Sequence, residues 1–395
     1  MRPNKEYLQT EIDGKLIFVK KDCVNKLKHS DAVIFDCDGV LIDVRNSCNK
    51  AITRAVTYII EELIGNKFSE ELISKETIYM FKKSGGFNND WDLAYALLVC
   101  IIFNLPQNFQ ERFSQHVNTN SSENNFGRLL SFKKKFAKKY NFNGIIGTLK
   151  DALKQYAKIV DDSGIRRIEK ELSTLSNFDV LDTAIRQFLS YPGKVGESLL
   201  TTIFEEMFCG PDLFKKIYKQ ESRIYKKRGL INYEHVIIYP ETLNKLTSIL
   251  GKANFGIASG RPYQLAKYTL NGILERFISK ALVFLEDVEA AESKAGRNNG
   301  LGISLKKPNP FSLIKSSEGL MPFKFALYIG DSIEDLVMVR KISKKNPRFV
   351  FIGVYNNSDF KNEILNNFLK MNAEVILPSV NNLPNILEMI KEGKL

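Results

Sequence analysis

Short apolar runs, most of them closed by a glycine, an acid or another polar residue, recur near both ends of this chain. They are Leu16–Val19, Ala32–Phe35, Phe255–Ala258, Ala281–Leu285, Phe325–Ile329, Phe349–Val354 and Glu374–Leu377. Runs this short and this apolar predict strands buried on both faces. Helical stretches alternate with those after residue 250, which predicts an α/β fold with a doubly wound parallel sheet. The first 29 residues hold one strand-like piece and a lysine-rich link, an edge element for that sheet.

The middle of the chain follows a different period. Apolar residues recur at three- and four-residue spacing over Asn49–Leu63, Trp91–Phe103, Leu149–Val160, Ile165–Leu175, Val180–Leu189, Ser198–Phe208 and Leu213–Lys226. This predicts helices. Breaks fall at Gly85-Gly86, at the polar run Asn118–Asn125, at Tyr191-Pro192-Gly193 and at Gly210-Pro211. A stretch this long is a domain, not a loop. The expected organisation is a core of residues 1–46 and 238–395, interrupted by an α-helical domain over 47–237. Ala290–Gly302, rich in glycine, asparagine and charge, is expected to be a surface loop.

Composition narrows the class. At 395 residues, with 44% hydrophobic and 26% charged positions, the chain can bury two sizeable cores. Its longest apolar stretch, Ala94–Phe103, is about half of the ~20 residues a membrane span needs, so no membrane partner is expected. The N-terminus lacks an apolar secretory core, and a cytoplasmic location is expected. Five scattered cysteines fit reduced thiols rather than a disulfide frame or a metal site. The net charge of +12 points to anionic partners, small or macromolecular. Its clearest local source is Phe132–Tyr140, read as an amphipathic helix with a lysine-rich outer face; no nucleic-acid module accompanies it, so nucleic acid is not expected as the partner. Nothing in the sequence sets an oligomeric state.

The candidate chemistry lies where the apolar runs end. Ala32–Phe35 runs into Asp36-Cys37-Asp38-Gly39-Val40, placing two acids on one face of a strand tip and a glycine where the chain turns. Cys37 between them should point to the opposite face and pack as a small hydrophobe. Paired carboxylates at the ligand-binding edge of an open sheet suit a hard cation plus a nucleophile, the requirements of phosphoryl transfer. Phe255–Ala258 ends in Ser259-Gly260-Arg261-Pro262, where a hydroxyl and backbone N–H groups can hold a phosphate oxygen; alone, such a serine is equally a helix cap. Lys306-Lys307-Pro308 sets a lysine in a stiff loop. Phe325–Ile329 ends in Gly330-Asp331-Ser332-Ile333-Glu334-Asp335, two acids four residues apart at another strand end, with Glu334 expected on the surface.

These four segments, in this order, resemble the motifs of the haloacid dehalogenase (HAD) superfamily of phosphotransferases, across roughly residues 30–50 and 240–380. Gly85–Trp91, the Ser-Gly-Arg-Pro of the second motif and Glu286-Asp287 are similar to a phosphoglycolate-phosphatase-like subgroup. The chain departs from it by extra residues between Asp287 and Lys306 and by the long segment 104–195. The resemblance implies a Rossmann-like core with an inserted helical cap, and a Mg²⁺-dependent phosphatase acting on a small phosphorylated metabolite through an aspartyl-phosphate. Asp36 is then the nucleophile, Asp38 the acid and base, and Ser259 and Lys307 the phosphate-holding pair, Lys307 being preferred to Lys306 because it directly precedes the proline. Asp36, the Asp38 carbonyl and Asp331 would hold Mg²⁺, with Asp335 a ligand or an orienting partner. A phosphomutase and a nucleic-acid end-processing phosphatase are the alternatives.

Substrate contacts are expected from Arg45, Gly260 and Arg261, and from Asn88, Asn89, Asp90 and Trp91 in the cap. Several have a plainer reading beside them. Arg261 forks onto substrate or forms a structural ion pair. The 88–91 segment selects substrate or is a loop in which Asp90 caps the next helix. Glu286 and Asp287 meet a cationic substrate group or face water.

Overall fold

The computed structural model describes residues 6–68, 70–87, 89–119, 125–136, 144–299 and 304–395. The chain divides into two compact units, Met1–Arg45 with Glu234–Leu395, and Asn46–Tyr233.

The first unit carries the strands β1 (Tyr7–Ile12), β2 (Lys15–Lys20), β3 (Ser30–Phe35), β4 (Ile42–Asp43), β5 (His235–Val236), β6 (Phe255–Ala258), β7 (Leu282–Val283), β8 (Phe325–Gly330), β9 (Phe349–Val354) and β10 (Val375–Leu377). Among the described residues, eight of these form one sheet in the order β1-β2-β10-β9-β8-β3-β6-β7. From β10 to β7 the neighbours are parallel. The β1–β2 hairpin closes the β10 edge antiparallel. Strand alternation splits the core in two. Val33, Phe35, Leu327, Ile329, Val350 and Ile352 pack on one face. Ala32, Ile34, Ala326, Tyr328, Phe349 and Phe351 pack on the other. Burial on both faces is why the strands read as nearly unbroken apolar runs.

β3 sits between β8 and β6, and later strands are added on both sides of it. That is a topological switch point, whose carboxyl edge is where open α/β sheets bind ligands. Just beyond it, β4 and β5 pair antiparallel, Ile42 opposite Val236 and Asp43 opposite His235.

The second unit is helical: Cys48–Ile64, Lys75–Lys83, Asp90–Phe103, Gln107–Thr119, Asn125–Phe136, Ile145–Ile159, Ile165–Leu172, Phe178–Leu189 and Leu199–Tyr218. Leu93 to Phe103 is buried on every side, so this helix is the unit's centre. Phe113 stacks edge-on against Phe132 and Phe188, joining three helices through one aromatic cluster. Phe132 and Phe136 are buried as their spacing implied; Tyr140 lies outside the described residues. The expected break at Gly210-Pro211 is a kink inside Leu199–Tyr218, with Gly210 at φ 73°. Among the described residues, no helix is long and apolar enough to cross a membrane.

The structure differs from the expected elements in several places, beginning with β1, a second strand in the first 29 residues. Leu285–Asn299 is a helix through much of the presumed loop Ala290–Gly302. Alanine, glutamate, lysine and arginine outweigh its single glycine in helix propensity, and Glu286 and Asp287 favour its positive N-terminus. The last helix of the second unit ends at Tyr218, where Lys219 turns left-handed (φ 57°), and does not run to Lys226. Lys75–Lys83 and Gln107–Thr119 are helices that the apolar pattern did not announce.

Candidate active site

The site is built at the carboxyl ends of β3, β6 and β8. The Asp36 backbone N–H donates to the Ile329 carbonyl (2.9 Å), which ties the end of β3 to β8. The chain then coils back, with the N–H groups of Leu41 and Ile42 donating to the Cys37 carbonyl at 2.8 and 2.9 Å. Gly39 carries the turn at φ 74°. A Cβ there would stand 1.9 Å from Asp331 Oδ2, so only glycine lets the first and fourth motifs approach this closely. Cys37 is fully buried in the core, and burial pushes its thiol far up; it packs as a hydrophobe.

Lys307 is the hub. Its ammonium lies 3.0 Å from Asp36 Oδ1 and 2.8 Å from Asp335 Oδ1, and donates to the Tyr328 hydroxyl at 2.7 Å. Asp335 is wholly buried. It accepts from Lys307 and the Tyr328 hydroxyl (2.9 Å) on Oδ1, and from the Ser332 hydroxyl (2.7 Å) and N–H (3.2 Å) on Oδ2. Asp36, Asp331 and Asp335 present carboxylate oxygens within 4.8 Å of one another.

Burial sets the electrostatics. It raises Asp36 to about 6, against the pull of Lys307 and with help from Asp335 and Asp38. Asp331 is pushed well up by burial, then by Asp335 and Asp36. Burial disfavours the Lys307 ammonium, yet Asp335 and Asp36 hold its pKa well above the ordinary value. Glu334 corrects an expectation. It is half-buried, and burial followed by the charge of Asp335 raises it well above an ordinary carboxyl. The first turn of its helix follows directly from the β8 edge, so successive acids share the cluster's field.

The second motif supplies Ser259, 2% exposed, its N–H bonded to the Val283 carbonyl (3.1 Å) and its hydroxyl oxygen accepting from Arg261 N–H (3.3 Å). Gly260 is exposed, with open space where a Cβ would stand. Arg261 realises the ion-pair alternative: buried, it donates to Asp38 (2.8 Å) and to Glu234 (2.6 Å). Glu234, also buried, accepts from the Thr269 hydroxyl as well (2.6 Å). Arg45 forks onto Asp43. Glu286 caps Tyr263 N–H, and Asp287 caps Phe284 N–H and pairs with Lys315, so both acids serve local structure.

In the helical unit, Asn88 lies outside the described residues. Asn89, and not Asp90, caps the helix Asp90–Phe103 by accepting from Trp91 N–H (2.8 Å). Asp90 pairs with Lys82 (2.8 Å), and the Trp91 indole donates to buried Glu205 (3.1 Å). Two members of the core constellation escaped sequence reading, Tyr328 and Glu234. Tyr328 left one trace, a hydroxyl in an otherwise apolar strand; an isolated glutamate leaves none.

No family model matches the chain, and no curated protein matches it. Among solved structures, an X-ray structure from a structural-genomics programme is similar over 92% of this chain and 99% of its own, at 19% identity and a TM-score of 0.60. A phosphatase from Thermococcus thioreducens covers 86% of this chain and 98% of its own, at 19% identity and a TM-score of 0.47. The first of these likenesses, with the sheet order, shows the fold: a mostly parallel α/β sheet flanked by helices.

Proposed function

We propose that this protein is a Mg²⁺-dependent phosphatase that hydrolyses a small phosphomonoester through an aspartyl-phosphate on Asp36. The supporting observation is the convergence of Asp36, Asp331, Asp335 and Lys307 on the adjoining ends of β3 and β8. A hard cation fits this donor set, since the buried acids outnumber the cations that face them. Every lone pair of Asp335 is already taken, which makes it the partner that orients Lys307. Asp36, Asp331 and the Asp38 carbonyl are the groups left to hold the ion. Bound Mg²⁺ would offset charge between the acids and a phosphoryl oxygen.

The residues divide the chemistry. Asp36 attacks phosphorus in line, forming the acyl-phosphate bond as the ester P–O bond breaks. Asp38 gives its proton to the departing alkoxide, then takes one from the water that attacks the phosphoryl group, releasing phosphate and restoring Asp36. The two acids differ in surroundings as those roles require. The Asp36 side chain is 12% exposed and faces Lys307; that of Asp38 is 39% exposed and held by Arg261. Lys307 and Ser259 hold the phosphoryl oxygens. Arg261, anchored on Glu234, positions Asp38. Substrate selection is assigned to the helical unit. Phosphate release from a panel of phosphorylated metabolites, with and without chelator, tests the reading; release that survives chelation overturns it.

A further inference from the structure

The helical unit contains a cavity of about 650 Å³, within the range that holds small organic ligands. All its lining residues belong to that unit, and the acids of the candidate active site belong to the other. Among the lining residues, the cations are Arg54, Lys67, Lys227 and Arg228, against Glu61 and Glu71. Glu61 accepts from Phe68 N–H (2.9 Å) and pairs with Lys67 (3.7 Å), which leaves Arg54, Lys227 and Arg228 against Glu71. The balance favours an anion.

The apolar part of the wall is mostly aromatic, with Leu72 and Met207 beside the rings. Tyr58, Tyr225 and Tyr233 line the cavity, and the Arg228 guanidinium lies 5.5 Å from the Tyr233 ring centre. Tyr233 is 47% exposed, an open ring face beside a cation. The Tyr225 hydroxyl accepts from Arg54 at 3.3 Å and donates to the Arg228 carbonyl at 3.2 Å, so ring and cations are set relative to one another. Thr57 lines the same space, and its buried hydroxyl oxygen has no hydrogen-bond partner among the described residues. An orphaned buried hydroxyl is a cost that a bound polar group would remove.

The loop that carries this wall is built, not draped. Buried Glu206 accepts from three successive backbone N–H groups, Arg223 (2.9 Å), Ile224 (2.7 Å) and Tyr225 (3.0 Å), and from the Ser222 hydroxyl (2.8 Å). Gly229 lies so close to Cys209 that a Cβ would stand 2.1 Å from its carbonyl oxygen. Residues 222–229 are thus pinned at both ends, and the site is preorganised.

We infer that this cavity binds a small anion bearing a planar ring, of the nucleoside-monophosphate class, as a second ligand of the protein. Guanidinium and ammonium groups match the phosphate, tyrosine faces the base, and the threonine a hydroxyl or amine. The inference does not rest on the phosphatase reading. Titration calorimetry of the full chain with adenosine 5′-monophosphate, in metal-free buffer with chelator to prevent turnover, should show saturable binding. Ribose 5-phosphate, lacking the planar base, should bind roughly tenfold more weakly. The double reversal Lys227→Glu/Arg228→Glu, at exposed positions, should weaken binding at least about tenfold, and Thr57→Val roughly fivefold. Tyr233→Ala gives the same test without charge change. Absence of saturable binding overturns the proposal, as does binding unchanged by the reversal and by Tyr233→Ala in proteins of unchanged melting temperature.

Discussion

The ammonium of Lys307 sits 3.0 Å from the Asp36 carboxylate. It reaches that place because Asp335 and Tyr328 hold it from behind, at 2.8 and 2.7 Å. The same cation is therefore aimed at Asp36 by two groups that stay in place when Asp36 is changed.

Asp36→Asn should accordingly abolish phosphate release while the protein stays folded. An amide cannot form the acyl-phosphate, and Lys307 keeps Asp335 and Tyr328. A phosphate assay beside a melting curve checks this; substantial turnover by folded Asp36→Asn would remove Asp36 from its role.

Mg²⁺ should raise the melting temperature of the wild type, and that rise should be absent in Asp331→Asn. A ligand that binds only the folded state stabilises it by mass action, about 2.7 kcal/mol at a hundredfold excess over Kd. Ca²⁺, with longer bonds and more ligands, should not restore activity to chelated enzyme. An equal thermal shift in both proteins would place the ion elsewhere.

Tyr328→Phe should cost about 1–3 kcal/mol of stability, because a buried hydroxyl that serves both Lys307 and Asp335 is lost. It should also lower kcat/KM roughly tenfold, through a less firmly aimed Lys307. Urea unfolding and steady-state kinetics separate the two effects, and unchanged kinetics would confine Tyr328 to packing.

The helical unit offers a pH test. Burial raises the pKa of Glu205 in the folded state above its ordinary value, despite hydrogen bonds from Tyr218, Cys209 and Trp91. The folded protein thus holds that proton more tightly than the unfolded chain. The resulting stabilisation is complete at pH below about 4.3, the ordinary glutamate value, and is lost as pH rises through the raised one. Glu205→Gln should flatten the fall in denaturant midpoint between acidic and neutral pH. An unaltered slope would show that other groups set it.

The strands of the core were legible because a strand buried on both faces must be apolar throughout, and the acids that end Ala32–Phe35 and Phe325–Ile329 stand out against that background. What stayed hidden depends on partners distant in sequence. Tyr328 gains its role only through Lys307, and Arg261 could be assigned to Asp38 only once Glu234 was seen behind it. Asn89 and Asp90 are equally good caps by composition, and the backbone decided for Asn89. Gln107–Thr119 buries Gln110, Ser114 and His116 along with its phenylalanines, so polar and apolar positions no longer mark separate faces.

The pairing of Ile42 with Val236 and of Asp43 with His235 fixes the outgoing and returning chain of the 46–233 excursion at one point of the core. Closing an excursion of this length costs only roughly 2–3 kcal/mol more entropy than closing a ten-residue loop. The β4–β5 ribbon thus acts as a socket. A core that grips both ends of an inserted segment tolerates exchange of everything between them, so the helical unit can be lengthened, shortened or replaced over evolutionary time while the carboxylates beside the socket keep their spacing.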